Sequence, residues 1–238
     1  MLDKSLQYFD FIMKMPKERI GALPEITLPP GYTLDFYKAG DDQAWARLEA
    51  LVLEFVSEEK ALEYFRKNYS VPFTPQLEQR CVFVRDASGK AVSTATAWFM
   101  SSSLGNRGWL QWISTDPEHQ GRGLARAVIT KALQLFPKYE PFSDIYLHTQ
   151  TWSHKAIYLY HKLGFEAFDI DHVKVQWDNE AGFRVMNNGI HNALKELEKV
   201  YAPELIESLK KGLLMPTALE RTDFPPAEDI LFPVPDEN

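Results

Sequence analysis

The chain has 238 residues, 45% of them hydrophobic and 25% charged, which suits one large folded domain with a sizeable core, or one domain and an extension. A formal net charge of −7 argues against binding along a nucleic-acid phosphate backbone, and the single cysteine, Cys81, excludes a disulfide framework and fits a reducing compartment. The opening residues lack a basic stretch followed by an apolar run, and no uncharged apolar window reaches the ~18 residues of a membrane span, so a cytoplasmic protein without membrane attachment is expected.

In chain order, residues 1–31 read as an arm with aromatic residues at Tyr8, Phe9 and Phe11 and a turn at Leu28-Pro29-Pro30-Gly31. Residues 32–37 alternate as a strand. Asp41 and Asp42 cap a helix carrying Trp45, Leu48, Val52 and Phe55 at helical spacing, and a second helix runs from Ser57 to about Lys67 before Pro72 and Pro75 break the chain. Residues 81–84, the turn 86–90 and residues 92–99 make a hairpin. Residues 101–108 read as a polar loop, and 109–115 as a strand stopped by Asp116-Pro117. Leu124, Ala125, Val128, Ile129, Ala132, Leu133 and Phe136 then share one helical face. Residues 145–149 form a short strand. Ser153 caps a helix that turns Ala156, Ile157 and Tyr160 inward, and Gly164 stands where a terminating glycine belongs. Strand character returns at Phe165, and residues 173–177 and 183–186 pair around 178–182. Beyond Asn188 two helical stretches flank Pro203, and the last residues are proline-rich and acidic.

The most informative stretch is Gln120-Gly121-Arg122-Gly123-Leu124-Ala125, set between a strand and the start of a helix. The first N–H groups of a helix have no partner within it, and the helix dipole leaves partial positive charge there. Glycines let the backbone approach an anion closely, so the segment suits a pyrophosphate, with Arg122 and Arg126 adding charge. A dinucleotide-binding fingerprint fits poorly, because Arg126 stands where a third small residue is needed and the acidic residue nearest the required distance, Glu140, lies in a Tyr-Glu-Pro turn. A P-loop fails for want of a following Gly-Lys-Ser or Gly-Lys-Thr.

Gln120, Gly123 and Ala125, after a strand and an Asp-Pro turn, resemble the pyrophosphate motif of the GCN5-related N-acetyltransferases. A second stretch, Ser153-His154-Lys155-Ala156-Ile157-Tyr158-Leu159-Tyr160-His161-Lys162-Leu163-Gly164-Phe165, is similar to that family's Asn-x-x-Ala-x-x-x-Tyr-x-x-x-Gly-Phe, with serine in place of the usual asparagine. The resemblance covers roughly residues 32–168. It implies an α/β fold with a mixed, mostly antiparallel sheet whose fourth and fifth strands splay apart, flanked by helices. The expected organisation is an acetyltransferase domain over 1–187, including the arm 1–31, and a C-terminal helical extension with a proline-rich acidic tail over 188–238.

The resemblance also implies acetyl-CoA as co-substrate. Its pantetheine would lie along the backbone of Ile113, Ser114 and Thr115, its pyrophosphate on Gln120, Gly121, Arg122, Gly123, Leu124, Ala125 and Arg126, with a further contact at Ser153. Acyl transfer to an amine needs a neutral amine, a stabilised oxyanion and a proton for the leaving thiolate. A backbone N–H near Ser114 serves the oxyanion, and Tyr160 aligns with the family's proton donor; Tyr158 has the wrong spacing to Gly164-Phe165. His148, on the strand before Ser153, is the candidate base, where many relatives carry glutamate; Gln111 is inward-capable but cannot accept a proton, and a water chain is the alternative. Trp98, Trp112 and Trp152, with the arm and the first two helices, are candidates for the wall of the acceptor pocket. The acceptor is expected to be a small amine, a peptide N-terminus or a lysine; neither a metal nor a nucleic-acid partner is expected, and a homodimer is left open. A non-catalytic acyl-CoA sensor, a longer acyl group and a hydroxyl acceptor remain the rival readings.

Overall fold

The computed structural model describes residues 2–176 and 184–220. In chain order its elements are β1 (Asp10–Met15), β2 (Thr33–Phe36), α1 (Asp42–Leu51), α2 (Glu58–Phe65), α3 (Val71–Arg80), β3 (Cys81–Arg85), β4 (Ala91–Ser102), β5 (Gly105–Thr115), α4 (Leu124–Leu133), α5 (Phe136–Tyr139), β6 (Ile145–Gln150), α6 (His154–Lys162), β7 (Glu166–Ala167), β8 (His172–Val175), β9 (Arg184–Asn187), α7 (Ile190–Leu197) and α8 (Pro203–Lys211). The class is the expected α/β one, with a mostly antiparallel mixed sheet and helices. The chain passes alternately through two compact units: Ile20–Trp98 with Leu110–Pro141, and Leu2–Arg19 with Phe99–Trp109 and the chain from Phe142 onward.

In the first unit the strand order is β2-β3-β4-β5. The β3–β4 hairpin turns on Asp86, whose carboxylate accepts from the Ser88 and Lys90 N–H groups, and on Gly89 at φ +86. α2 starts where its sequence says it should, with the Ser57 hydroxyl accepting from Lys60 N at 3.3 Å and Glu58 and Glu59 in the first turn. α4 buries Leu124, Ala127, Val128, Ile129, Ala132 and Leu133 and packs on β3. The core is aromatic: Trp45, Phe65, Tyr69, Phe83 and Trp98 are each almost wholly buried.

In the second unit the order is β5-β6-β1-β7, with β8 paired to β4 at Ser102↔Val175 and to β9. β5 and β6 run parallel through Gly108↔Ile145 and Trp109↔Tyr146. α7 packs on β1 and α8 on β7, so both helices beyond Asn188 are packed parts of this unit.

Four expectations are corrected. The arm contains β1, antiparallel to β6 on one side and β7 on the other, with Phe11, Ile12, Met13 and Met15 buried; a strand covered on both faces shows a continuous apolar run in place of alternation. Pro72 and Pro75 lie within α3, not at a break. Pro72 occupies the first turn, and Phe73, at φ −134 and ψ 31, interrupts the helix so that Pro75 again sits near a helical start, where its missing N–H is tolerated. Residues 101–108 are not a loop: β4 continues to Ser102 and β5 begins at Gly105, whose φ of +94 makes the tight turn. Ser153 precedes α6 but its side chain makes no capping bond, because a 3-10 turn over Thr151–Ser153 leads into the helix. The strands around 173–177 and 183–186 pair as expected over β8 and β9, while residues 177–183 and the tail 221–238 lie outside the described residues.

Candidate functional site

The glycine turn is as open as its sequence implies. Gly121 and Gly123 have φ of +74 and +80, in the left-handed region, and Gly123 is the residue from which α4 starts. A side chain at Gly121 would meet nothing within 4 Å, and one at Gly123 would meet only the Arg126 guanidinium at 3.7 Å. Gln120, Gly121, Arg122 and Arg126 are exposed, while Leu124 anchors the helix in the core and Ala125 is half-buried. The Arg122 guanidinium donates to the Tyr32 hydroxyl at 2.8 Å and to the Glu118 carbonyl at 3.3 Å, which holds the turn in shape. Below it, Asp116 accepts from Glu118 N at 3.2 Å and pairs with Arg47 at 3.0 Å; burial acts to raise its pKa, but Arg47, that N–H and Lys90 outweigh it and hold it below the usual value. An exposed left-handed turn at a helix N-terminus, with a guanidinium alongside, fits a pyrophosphate.

Upstream, the end of β5 is tied down by its own neighbours. Ser93 Oγ donates to the Ser114 carbonyl at 2.9 Å, and Gln120 Nε2 donates to the Thr115 carbonyl at 3.1 Å. Ile113 is half-buried and the side chains of Ser114 and Thr115 are buried. Just before them Trp112 takes φ +53, a conformation a bulky residue rarely adopts. Its ring lies among four others, Trp45 at 5.1 Å, Tyr64 at 5.4 Å, Phe55 at 5.8 Å and Tyr69 at 6.3 Å. The Tyr69 hydroxyl donates to Gln111 Oε1 at 2.9 Å, and Trp98 packs on Tyr69 at 5.1 Å. Two of the expected tryptophans therefore do belong to one aromatic cluster.

Glu49 is the residue that sequence reading passed over. It lies on the buried face of α1, one turn after Trp45, and is 1% exposed. Burial pushes its carboxyl up to about 8, with the Ser114 hydroxyl acting against that shift and Glu54 adding to it. Its signal was present: a glutamate among Trp45, Ala46, Leu48 and Val52 interrupts an otherwise apolar stripe.

Ser153, Tyr160 and His148 belong to the second unit. Tyr160 is buried on α6 with its ring edge-on to Phe165 at 6.1 Å, whereas Tyr158 is 46% exposed. His148 lies opposite Ile12 in the β1–β6 ladder, and its Nε2 stands 3.3 Å from Asp10 Oδ2. Trp152, the third expected wall residue, is buried in this unit: its Nε1 donates to the Leu6 carbonyl at 2.8 Å and its ring meets Tyr8 at 4.9 Å. Among the described residues no group of three or more His, Cys, Asp or Glu is placed to hold a metal ion, and no helix is long and apolar enough to cross a membrane.

The strand, glycine turn and helix on this sheet define the fold of the GCN5-related N-acetyltransferases. Solved structures share it: a GCN5-related N-acetyltransferase from Sphaerobacter thermophilus, with TM-score 0.51 and 17% identity over 71% of this chain and 50% of that one, and a GNAT-family acetyltransferase from Colwellia psychrerythraea, with TM-score 0.50 and 11% identity over 68% and 54%. Residues 45–165, just over half the chain, match the model of the acetyltransferase (GNAT) family, and the protein belongs to that family. Similar proteins include mouse N-acetyltransferase 8B, 28% identical over 124 residues (49% of this chain, 53% of that one), and the spermidine N(1)-acetyltransferase of Vibrio cholerae, 43% identical over 49 residues (21% and 28%). The chain thus spans about half or less of the length of these relatives.

Proposed function

We propose that the protein is a cytoplasmic N-acetyltransferase that moves the acetyl group of acetyl-CoA to an amine by direct attack on the thioester. The observation that carries this reading is the exposed left-handed turn at Gly121 and Gly123 on the N-terminus of α4, within a family of acetyltransferases. In this reading the pyrophosphate lies on residues 120–126, the pantetheine along Ile113, Ser114 and Thr115, and Ser153 adds a contact. Two protons leave an acceptor ammonium during acetylation, one before attack and one as the tetrahedral intermediate collapses. His148, its Nε2 3.3 Å from Asp10 Oδ2, takes the second, and Tyr160 gives a proton to the departing thiolate. The names of the similar proteins, N-acetyltransferases and a spermidine acetyltransferase, favour nitrogen over oxygen as the acceptor atom. The test is acetyl-CoA calorimetry beside CoA-thiol release across a panel of primary amines. Gly123→Val should weaken acetyl-CoA binding at least tenfold with the fold intact, because a β-branched residue resists φ +80 and fills the approach. Unchanged affinity would overturn the placement; binding without thiol release would favour a sensor.

A further inference from the structure

Six buried polar side-chain atoms of α1 and β5 have no hydrogen-bond partner among the described residues, and four of them belong to the first unit: Trp45 Nε1, Glu49 Oε1, Trp112 Nε1 and Ser114 Oγ, with the Trp45 and Trp112 rings 5.1 Å apart. Each such atom costs ~1–3 kcal/mol, so a cluster of them is a poor way to build a core and a sensible way to hold groups for chemistry. Glu49 and Ser114 are close enough for the hydroxyl to favour the carboxylate, though neither Glu49 Oε1 nor Ser114 Oγ completes a hydrogen bond. Ser114 is also a residue along which the proposed function lays the thioester arm, and the inference rests on that reading.

We propose that Glu49 and Ser114 form a proton relay that takes the first proton from the acceptor ammonium, leaving the neutral amine that attacks the thioester. One acceptor N–H bond breaks and its electron pair stays on nitrogen. That proton passes to Ser114 Oγ, the original Ser114 proton passes to the Glu49 carboxylate, and the serine ends as it began. Glu49 acts through Ser114 and is a positioning residue for the proton. Its carboxyl, pushed up to about 8, is basic enough to receive a proton near neutral pH, as an ordinary glutamate is not. The charged or titratable groups that reach it are Glu54 and the buried Cys81 thiol; burial pushes that thiol up to about 12, so it stays protonated over the working range.

The test uses the full chain with acetyl-CoA and a primary-amine panel that includes tyramine, spermidine and the far less basic trifluoroethylamine. Wild-type turnover should rise with pH through an inflection near 8 that stays put as the amine's basicity changes. Glu49→Gln should lose that inflection and fall at least ~10²-fold at pH 9, while its acetyl-CoA affinity and its unfolding midpoint at pH 4 hold, and Ser114→Ala should lose turnover likewise. An inflection that follows the amine, or survives in Glu49→Gln, overturns the relay and leaves acetyl transfer standing. Acetyl-CoA binding with no thiol release from any amine overturns transfer, and the relay with it. Infrared spectra give a readout independent of turnover: a protonated-carboxyl band present at pH 6 and lost by pH 10 in wild type, absent in Glu49→Gln. Absence of that band from wild type at pH 6 also overturns the relay.

Discussion

Each unit buries a glutamate, and the two are treated in opposite ways. In the second unit Glu220 is 5% exposed and fully partnered: Lys14 at 2.6 Å, the Tyr146 hydroxyl, and both the N–H and hydroxyl of Thr217 at 2.8 Å. Burial alone would raise its pKa, but Lys14, Tyr146 and Thr217 together pull it down to about 2. In the first unit Glu49 makes no ion pair among the described residues and keeps an unpartnered oxygen, and burial drives it up to about 8. Burial is common to both, so the partners decide the sign. A satisfied network such as that of Glu220 serves architecture, while the unsatisfied carboxyl of Glu49 is the one proposed for chemistry.

The sharpest challenge to that division comes from the second unit itself, where Tyr160 is the proposed proton donor. Tyr160→Phe keeps the ring against Phe165, and turnover should fall by ~10²–10⁴-fold with little change in acetyl-CoA affinity. Near-wild-type turnover with chemistry rate-limiting would make Tyr160 a packing residue. Next in size is Glu220→Gln, which should lower stability by about 3 kcal/mol, the low end of the ~3–5 kcal/mol range for breaking a buried pair, because Asp144 still faces Lys14 at 3.0 Å. Urea unfolding measures this, and acetyl-CoA affinity of the folded variant should not change.

The two carboxylates should also tilt stability against pH in opposite directions. Glu220 has its pKa lowered on folding, so its contribution is present above about 4.5 and is lost as pH falls toward about 2; Glu220→Gln should flatten that acid slope. Glu49 has its pKa raised, so the folded state holds a proton that the unfolded state has released between about 4.5 and about 8. Stability should therefore decline as pH rises across that window, and Glu49→Gln should be the more stable protein at pH 8. Parallel slopes for the two variants would break the comparison. The smallest effect is expected at Gly121→Ala, where space is open and only the left-handed backbone objects, a strain of ~1–2 kcal/mol visible as a modest loss of stability.

Much of this architecture can be read from residue order alone, because the features that carry it are local. The turn at Gly121 and Gly123, the apolar face of α4, the β3–β4 hairpin and the terminating glycine at 164, with φ +106, each follow from a few neighbouring residues. What escapes is non-local. Lys14 in β1 reads as a polar interruption until Glu220 and Asp144 are placed beside it, so the strand passes for an arm. Ser153 looks like a cap, but the 3-10 turn before α6 comes from Thr151, whose hydroxyl is engaged by the distant Gln7 and Phe9 backbone. Glu49 stands in plain view in its helical stripe, and only its burial beside Ser114 gives it meaning.

β1 is made before its hydrogen-bonding partners β6 and β7, which emerge only when residues 145–167 have been synthesised. Until then the growing chain carries a short apolar strand with both edges open, the kind of segment that seeds aggregation. A charge within such a segment counters that hazard, and Lys14 supplies one. A single cation in the middle of Asp10–Met15 keeps that strand in water while it waits, and Glu220, arriving last among the described elements, neutralises the same charge once it is buried. The ion pair is thus a timing device as well as a contact: the residue that protects the unfinished chain becomes, on completion, the one that locks it.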